Sequence, residues 1–273
     1  MPDFSPFAPY LTAWQLTPDG EAIKTYSSDL LPVRWQGRAA MLKLTHTEEE
    51  RTGSRLMVWL KGDGAARVYA HDNEAIVLER LDTQPSLADM AQQGQDDEAT
   101  RILCAAVAHL HRPRPTPPPE LPTLRRWFRS LERAAPQGGL FGQTWAIAEA
   151  LLNDPRDVLP LHGDIHHGNV LHSPAAGRGW LALDPKGIAG ERGYDYANIF
   201  CNPTTDFALS AGRLARQSWL VADWAGLERG RLLHWIAAYA GLSAAWWLED
   251  GAEAEVGKVL EIAALALAEL EQG

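Results

Sequence analysis

The thirteen-residue stretch LHGDIHHGNVLHS, residues 161–173, places polar side chains between apolar runs. Three runs around it, VLPL, NVLH and GWLALD, predict short strands, the last two joined by a turn. The stretch contains the pattern His162-x-Asp164-x-x-x-x-Asn169, and the third run ends in Asp184. A strand, a polar loop, a hairpin and a strand would bring the two aspartates and the asparagine to one point.

Two carboxylates and an amide at one point suit phosphoryl transfer, because that reaction depends on alignment and charge neutralisation more than on covalent chemistry. Asp164 would orient an attacking hydroxyl and accept its proton, while Asn169 and Asp184 would hold Mg²⁺, which prefers oxygen ligands. Zinc is a weaker interpretation. The adjacent His166 and His167 would point apart, and no cysteine or third histidine recurs at ligand spacing.

Upstream, between residues 22 and 81, β-type runs alternate with turns and predict a small sheet. The runs are AIKTYSS, LLPVRWQG, AAMLKLT, AARVYAH and NEAIVLERL. The segment THTEEERTGSRLMVWL interrupts them and is typical of a helix packed on the sheet, although Gly53 in its middle counts against one. Lys43 lies on the third run, and Glu50 is favoured as its partner over the two glutamates before it. A solvated strand lysine is the alternative, which the apolar neighbours of Lys43 disfavour.

After LERLDTQPS, helical patterns dominate. DDEATRILCAAVAHLH begins with acidic residues, continues with good helix formers and stops before RPRPTPPPELP, which cannot continue a helix. We interpret the proline run as a loop between helices, in preference to a ligand for an SH3 domain.

Composition restricts the partners. The 273 residues carry 35 acidic and 25 basic side chains, a formal net charge of −10, which disfavours nucleic acid or an anionic membrane and fits a cationic ligand. The first residues lack the pattern of a secretory signal, and the most apolar segment, HWIAAYAGLSAAWWLED, is shorter than the roughly 20 residues of a bilayer span, so it predicts a buried helix. Cys104 and Cys201 have no paired spacing. We therefore expect a cytoplasmic protein with reduced thiols and no membrane association, as a monomer or a weak dimer.

The order of these motifs resembles the aminoglycoside phosphotransferase family, relatives of the protein kinases, across nearly the whole chain. The resemblance rests on Lys43, Glu50, the segment LERL, HGDIHHGN and LALDPKGIAGERGYDYAN. HGDIHHGNVL, LDPKGIAGERGYDYANIFCNP and GLSAAW are similar to the branch of streptomycin phosphotransferases and aminoglycoside/hydroxyurea resistance kinases. The resemblance implies an α+β, two-lobed, protein-kinase-like fold. Residues 1–82 would form a small nucleotide-binding β-sheet lobe with one helix, and residues 83–273 a larger, mainly helical lobe for catalysis and substrate binding.

The resemblance also implies a role for each candidate residue. Asp164 would be the catalytic base, Asn169 and Asp184 the Mg²⁺ ligands, and Lys43 with Glu50 the ion pair that holds the phosphates of ATP. In the same comparison, the histidine two residues before Asp164 would brace the loop.

A nucleotide loop and a hinge follow from the same resemblance. Thr25, Ser27 and Ser28 match the loop that covers the phosphates, and Glu79 to Leu81 would form the hinge whose backbone reads adenine. No G-x-G-x-x-G precedes the strand lysine, so GTP is an alternative to ATP. Pro-Lys-Gly follows the second metal aspartate in place of Phe-Gly, so the switch associated with that phenylalanine is not expected.

For the substrate, the candidates are Asp195, Trp246, Trp247 and Glu249. A structural role is favoured for Asp195, with direct substrate binding as the alternative. The acidic cluster after GLSAAWWL is either a solvated helix end or a wall that binds amino or guanidino groups, where tryptophan would add cation–π contact.

The predicted reaction transfers the γ-phosphoryl of ATP to a hydroxyl of an aminoglycoside, with streptomycin as the leading acceptor. A housekeeping kinase for choline, homoserine or a ketosamine is the first alternative. A nucleotide-binding protein without catalysis is the second, which the presence of both aspartates disfavours.

Overall fold

A computed structural model describes residues 4–25 and 27–272. Its N-terminal part is a six-stranded antiparallel sheet in the order β1-β3-β4-β6-β5, with β2 paired to β3. The strands are β1 (Leu16–Pro18), β2 (Ile23–Lys24), β3 (Ser28–Trp35), β4 (Arg38–Thr45), β5 (Val68–His71) and β6 (Ala75–Glu79). A short helix, α1 (Ala8–Ala13), follows a 3₁₀ turn and precedes β1.

The β3–β4 hairpin is closed by two residues, Gln36 and Gly37, whose φ angles of 49° and 78° match a tight turn between twisted strands. Side chains along β4 then alternate between the two faces of the sheet. Leu42 and Leu44 face the core under α1, whereas Lys43 faces the opposite side, towards the helix that follows β4.

That helix is α2 (Glu48–Leu60), and its N-terminus is capped by the Thr47 hydroxyl, which accepts the backbone N–H of Glu50 at 3.3 Å. The predicted helix is therefore present, and the glycine in its middle has a packing reason. A β-carbon on Gly53 would lie 1.8 Å from the carbonyl oxygen of Pro185, so α2 could not approach this backbone with any side chain there.

The C-terminal part is mainly helical. Its helices are α3 (Leu87–Met90), α4 (Asp96–Leu110), α5 (Leu124–Trp127), α6 (Arg129–Ala134), α7 (Gly139–Asn153), α8 (Tyr194–Ala197), α9 (Thr205–Ala208), α10 (Arg213–Ala225), α11 (Arg229–Glu249) and α12 (Glu253–Gln272). The predicted helix at DDEATRILCAAVAHLH is α4, and the apolar segment near the C-terminus is most of α11, buried against α7 and α12. The proline-rich segment connects α4 to α5, as predicted.

Two small antiparallel pairs lie within the helical part. They are β7 (Val158–Leu161) with β10 (Ile188–Glu191), and β8 (Val170–His172) with β9 (Trp180–Ala182). The three strands predicted here are confirmed, while β10 was not predicted. In the N-terminal part, the run AIKTYSS contains β2 and ends at Ser28, the first residue of β3, and AARVYAH contains β5.

Two hydrophobic cores hold the molecule together. The smaller one lies between α1 and one face of the large sheet. The larger one joins the apolar face of α2, including Leu56, Met57 and Leu60, to the helices of the C-terminal part. The lobe boundary at residue 82 falls in the connection between β6 and α3 and stays a prediction, since the larger core continues across it.

Over the part of the chain that the structure describes, no helix combines the length and the apolar character needed to cross a bilayer. Cys104 and Cys201 are free thiols, and burial raises the pKa of each to about 12.

Candidate active site

The loop between β7 and β8 carries Asp164 and Asn169, and the residues after β9 carry Asp184. The backbone N–H of Leu183 donates to the carbonyl of Asn169 at 3.0 Å, which continues the β8–β9 pairing beyond the strands. This pairing brings the backbone of Asn169 next to that of Leu183, the residue before Asp184, as the order of the strands leads one to expect.

Several donors orient the Asp164 carboxylate. Asn169 Nδ2 donates to the backbone carbonyl oxygen of Asp164 at 2.9 Å and to Asp164 Oδ2 at 3.3 Å. Asn198 Nδ2 donates to Asp164 Oδ1 at 2.9 Å. The carboxylate remains partly exposed to a cleft between the two parts of the molecule. It is thus held in one orientation and open to a ligand.

Lys43 lies between two carboxylates, those of Glu50 and Asp184, and its ammonium group is in direct contact with both. Lys43 and Glu50 are each only 6% exposed. Burial alone would raise the pKa of Asp184, but the Lys43 ammonium outweighs burial and holds this pKa below its usual value. Asp184 has a φ of 59°, a left-handed conformation that recurs at functional sites.

Lys186 is a second cation at this point, and no role was assigned to it from the sequence. Its Nζ lies 3.0 Å from Glu49 Oε1 and 3.7 Å from Asp164 Oδ2. Burial opposes its charge, yet the carboxylates of Asp164 and Glu49 outweigh burial and raise its pKa. Lys186 therefore links the first turn of α2 to the loop that carries Asp164. Its motif, DPKG, was noted as a departure, but only the fold shows that the side chain turns back to Asp164.

Asp195 braces the loop from behind. Its carboxylate accepts the backbone N–H groups of His162 and Gly163 at 2.9 and 2.7 Å, and His111 Nε2 lies 2.9 Å from it. Because the Asp195 side chain has no exposed surface, the alternative that it contacts the substrate directly is wrong. The arrangement agrees with the structural role that was favoured.

Burial disfavours the charged form of the histidines in the loop. His162 Nδ1 accepts the N–H of Asp164 at 3.2 Å, and its Nε2 lies 2.9 Å from the Leu183 carbonyl, which defines one neutral tautomer. Burial lowers the pKa of His162, and it lowers the pKa of His167 to about 3. Among the described residues, no group of three or more histidine, cysteine, aspartate or glutamate side chains is arranged to hold a metal.

Of the three candidates in the nucleotide loop, Ser27 reaches the site, because its hydroxyl donates to Glu50 Oε1 at 2.9 Å. Thr25 and Ser28 bond to each other instead: Thr25 Oγ1 donates to the Ser28 carbonyl at 2.8 Å, and the Ser28 side chain is buried. In this structure the two side chains are hydrogen-bonded within the loop, and their part in covering the phosphates stays a prediction.

The residues of the predicted hinge also differ in their contacts. The backbone N–H of Glu79 donates to the Arg67 carbonyl at 2.7 Å, and its buried carboxylate accepts from Ser173 and Arg178. The N–H and the carboxylate of Glu79 are therefore used within the protein, and its part in reading adenine stays a prediction. Leu81 is partly buried against the larger core, and its backbone forms no hydrogen bond with another described residue.

The cleft has a volume of about 1140 Å³ and is lined by residues from α2, the proline-rich loop, α6 and α11. Asp164 and Lys186 line it, as do Trp246 and Glu249 near the end of α11. Trp247 does not line it. Because Trp247 is 39% exposed elsewhere on the helix, its predicted substrate contact is not supported.

Comparison with known proteins places this geometry in a family. Residues 13–251 match the family described as aminoglycoside/hydroxyurea antibiotic resistance kinase. The chain belongs to this family. It is 46% identical over 260 residues to a streptomycin 3''-kinase of Klebsiella pneumoniae, covering 93% of this chain and 97% of the relative. A streptomycin 6-kinase of Streptomyces glaucescens is 32% identical, with 96% and 87% covered.

Solved structures agree on the fold of this family member. Aminoglycoside phosphotransferase APH(4)-Ia superposes with a TM-score of 0.68 over 97% of this chain and 98% of the other, at 13% identity. The two-lobed, protein-kinase-like α+β fold is confirmed, with the antiparallel sheet in the N-terminal lobe and the helices in the C-terminal lobe.

Two residues that shape the site were missed by sequence reasoning. Asn198 and Lys186 both lie in LDPKGIAGERGYDYAN, a segment that carries the resemblance, but its letters alone do not show which side chains turn towards Asp164.

Proposed function

We propose that this resistance kinase transfers the γ-phosphoryl group of ATP to a hydroxyl of streptomycin, with the 3''-hydroxyl as the favoured acceptor. The observation that carries the reaction class is the orientation of Asp164 towards the cleft, beside the contact of Lys43 with Glu50 and Asp184. The acceptor is inferred from the 46% identity with a streptomycin 3''-kinase over nearly the full length of both chains. The 6-hydroxyl is the second candidate, because a streptomycin 6-kinase is 32% identical.

In the proposed reaction, Asp164 accepts the proton of the acceptor hydroxyl as its oxygen forms the bond to phosphorus. The bond between that phosphorus and the bridging oxygen breaks, and ADP leaves. Asn169 and Asn198 hold the carboxylate of Asp164 in place through their amide N–H groups. The new phosphate adds negative charge to a cationic antibiotic and inactivates it.

Lys43 holds the phosphates of ATP in this proposal, with Glu50 fixing the lysine. The backbone of Leu81 meets the adenine, and Ser27 covers the phosphates. Residues 1–82 then act as the nucleotide lobe and residues 83–273 as the catalytic and substrate lobe.

The donor set fits Mg²⁺. Asn169 uses its amide nitrogen on Asp164, which leaves its amide oxygen as a ligand, and Asp184 gives Lys43 only one carboxylate oxygen. One carboxylate and one amide oxygen, completed by phosphate and water, is a typical protein contribution to Mg²⁺. The ion, when bound, neutralises charge on the phosphates.

Lys186 supports the reaction from the acceptor side. Its ammonium group lies near Asp164 and within the cleft, so it can neutralise charge on the transferring phosphoryl group without leaving its loop.

The test is phosphorylation of an acceptor panel by the purified protein with Mg-ATP or Mg-GTP, followed by mass spectrometry and by phosphorus–proton NMR of the product. The panel holds streptomycin, other aminoglycosides, hydroxyurea, choline, homoserine and ketosamines. We expect streptomycin phosphorylated at one hydroxyl, with coupling that identifies the 3''-position. Turnover of a metabolite with none of streptomycin would refute the proposed acceptor and favour a housekeeping kinase.

A further inference from the structure

One wall of the cleft holds an ion pair between Arg133 of α6 and Glu249, the last residue of α11. Arg133 Nη2 donates to Glu249 Oε1 at 2.6 Å and to Ser130 Oγ at 3.1 Å. The Ser130 hydroxyl in turn donates to Glu249 Oε2 at 3.0 Å. A carboxylate and a hydroxyl therefore already surround one guanidinium group.

This pair can open. The Arg133 side chain is 63% exposed and that of Glu249 is 44% exposed, whereas Ser130, which connects them, is buried. Exposed ion pairs contribute little, since water and salt compete with each partner. A second guanidinium group could replace Arg133 while the carboxylate and the serine keep their positions.

An aromatic group lies beside the pair. Trp246 makes edge contacts with Trp127 and Tyr239, at centroid distances of 5.8 and 6.3 Å, and all three residues line the cleft. Aromatic faces attract planar guanidinium cations and lose less of this attraction to solvent where the site is partly closed. The wall is thus suited to a flat cation held at its edge by a carboxylate.

Net charge alone does not explain selection of a cation by this cleft. Its lining contains six acidic and five basic residues. The acidic ones are Glu48, Glu49, Glu120, Asp164, Glu249 and Asp250, and the basic ones are Arg55, Arg126, Arg129, Arg133 and Lys186. Recognition must therefore come from a built position and not from a general negative potential.

We infer that Glu249 and Ser130 form a subsite for a guanidinium group of the acceptor, and that Arg133 fills this subsite until the acceptor displaces it. The inference rests on the proposed function for the acceptor class, since streptomycin carries guanidinium groups. It adds the position at which a guanidinium group of the acceptor binds. It also adds a competitor within the protein, Arg133, that discriminates against acceptors without a guanidinium group.

Binding measurements test the inference without requiring turnover. Streptomycin and kanamycin, whose cations are amines, are titrated into the full-length protein by isothermal calorimetry. The variants are Arg133→Ala, Glu249→Gln, their combination, and Arg129→Ala as a matched control. Arg129 lines the same cleft, but within residues 4–25 and 27–272 its guanidinium has no ion pair or hydrogen-bond acceptor.

We expect Arg133→Ala to bind streptomycin about two- to fivefold more tightly, the range that corresponds to loss of a competing exposed pair. Arg129→Ala should change the affinity by less, because it removes the same charge without freeing a carboxylate. Glu249→Gln should weaken binding of streptomycin, and the combined variant should show no gain over Glu249→Gln alone. Kanamycin should respond equally to loss of either arginine.

Equal effects of Arg133→Ala and Arg129→Ala on streptomycin would overturn the inference, as would equal tightening of kanamycin and streptomycin by Arg133→Ala. The activity assay tests the proposed function independently of these titrations. The proposed function is wrong if the wild-type protein does not phosphorylate streptomycin with Mg-ATP. Tighter streptomycin binding by Arg133→Ala in a protein without this activity would keep the guanidinium subsite and discard the reaction.

Discussion

The proposed nucleotide end of the site, around Lys43, and its proposed acceptor end, around Arg133, use charge in different ways. At the nucleotide end, Lys43 and Glu50 are 6% exposed, and the lysine contacts a second carboxylate, Asp184. At the acceptor end, Arg133 and Glu249 form a single pair in which both side chains are about half exposed. The first end is a buried network, and the second is an exposed pair that we propose an acceptor displaces.

The difference follows from the cost of burying charge. A buried ion that loses its partner is strongly destabilising, so the residues at the nucleotide end must keep both identity and position. An exposed pair can change partners at little cost, which suits the part of the site that must release its own contact to bind an acceptor. Buried and exposed charges are therefore suited to different parts of the site.

The largest effect on activity is expected from Asp164→Asn. The variant keeps the size of the side chain but cannot accept the proton of the acceptor hydroxyl, so kcat should fall by about 10²–10⁴-fold. Nucleotide affinity should stay nearly unchanged, because no proposed nucleotide contact is removed. Steady-state kinetics and calorimetric titration of Mg-ATP measure the two quantities.

Asp157→Asn is the matched control, since Asp157 lies before β7, is 69% exposed and pairs with Arg192. It should retain full activity. If Asp164→Asn kept its turnover, the role proposed for Asp164 as the base that accepts the hydroxyl proton would be wrong.

A second prediction concerns the contact between α2 and the loop after Asp184. Gly53→Ala places a β-carbon 1.8 Å from the Pro185 carbonyl, so either the helix or the loop must move. We expect a loss of about 1–3 kcal/mol in the free energy of unfolding and a lower kcat/KM for ATP. Chemical denaturation and kinetics with varied ATP measure both.

Gly257→Ala in α12 provides the comparison, because its β-carbon would meet nothing within 4 Å. That variant should be more stable by about 0.5–1 kcal/mol, as expected for alanine in place of glycine inside a helix. A destabilised Gly257→Ala would show that alanine is unfavourable even where its β-carbon meets nothing, and a loss of stability at Gly53 could then not be assigned to the approach to Pro185.

The nucleotide end was readable from the sequence because its residues lie in short segments whose local structure fixes them. The apolar neighbours of Lys43 disfavoured a solvated strand lysine, and the order of the strands predicted that Asn169 and Asp184 converge. The helix after β4 was also predicted, although Gly53 argued against it. The packing reason for that glycine lies 132 positions away, at Pro185, and no local rule contains it.

The acceptor end was only partly readable. Trp246 and its neighbour Trp247 look alike in the sequence, and only the rotation of α11 places one in the cleft and the other outside it. Arg133 is separated from Glu249 by 116 positions, so nothing in either segment indicates the pair. Contacts between distant helices depend on packing of the whole lobe, which spacing rules do not describe.

The third prediction uses those two tryptophans. Trp246→Ala should raise KM for streptomycin about tenfold, because it removes aromatic surface and cation–π contact from the cleft. Trp247→Ala, one position further along the same helix, should leave KM unchanged. Equal KM values for the two variants would mean that the acceptor does not use this wall, and the division of the cleft into two ends would have to be redrawn.

The smallest effect on activity is expected at Glu191, which stabilises the C-terminal lobe away from the cleft. Its carboxylate accepts from Arg231, from Trp235 Nε1 and from the backbone of Arg156. Burial would raise its pKa, but these donors outweigh burial and lower it.

Stability from a lowered pKa is complete above the unfolded value, about 4.3, and is lost as pH falls through the folded value. Glu191→Gln should therefore cost about 1–3 kcal/mol near pH 7, with a difference from wild type that shrinks below about pH 4. Denaturation at several pH values measures this difference, and kcat at pH 7 should stay within about twofold. A large loss of kcat in the folded variant would mean that buried charge far from the cleft also sets the geometry of Asp164, so that rigidity is a property of the whole lobe and not of the nucleotide end alone.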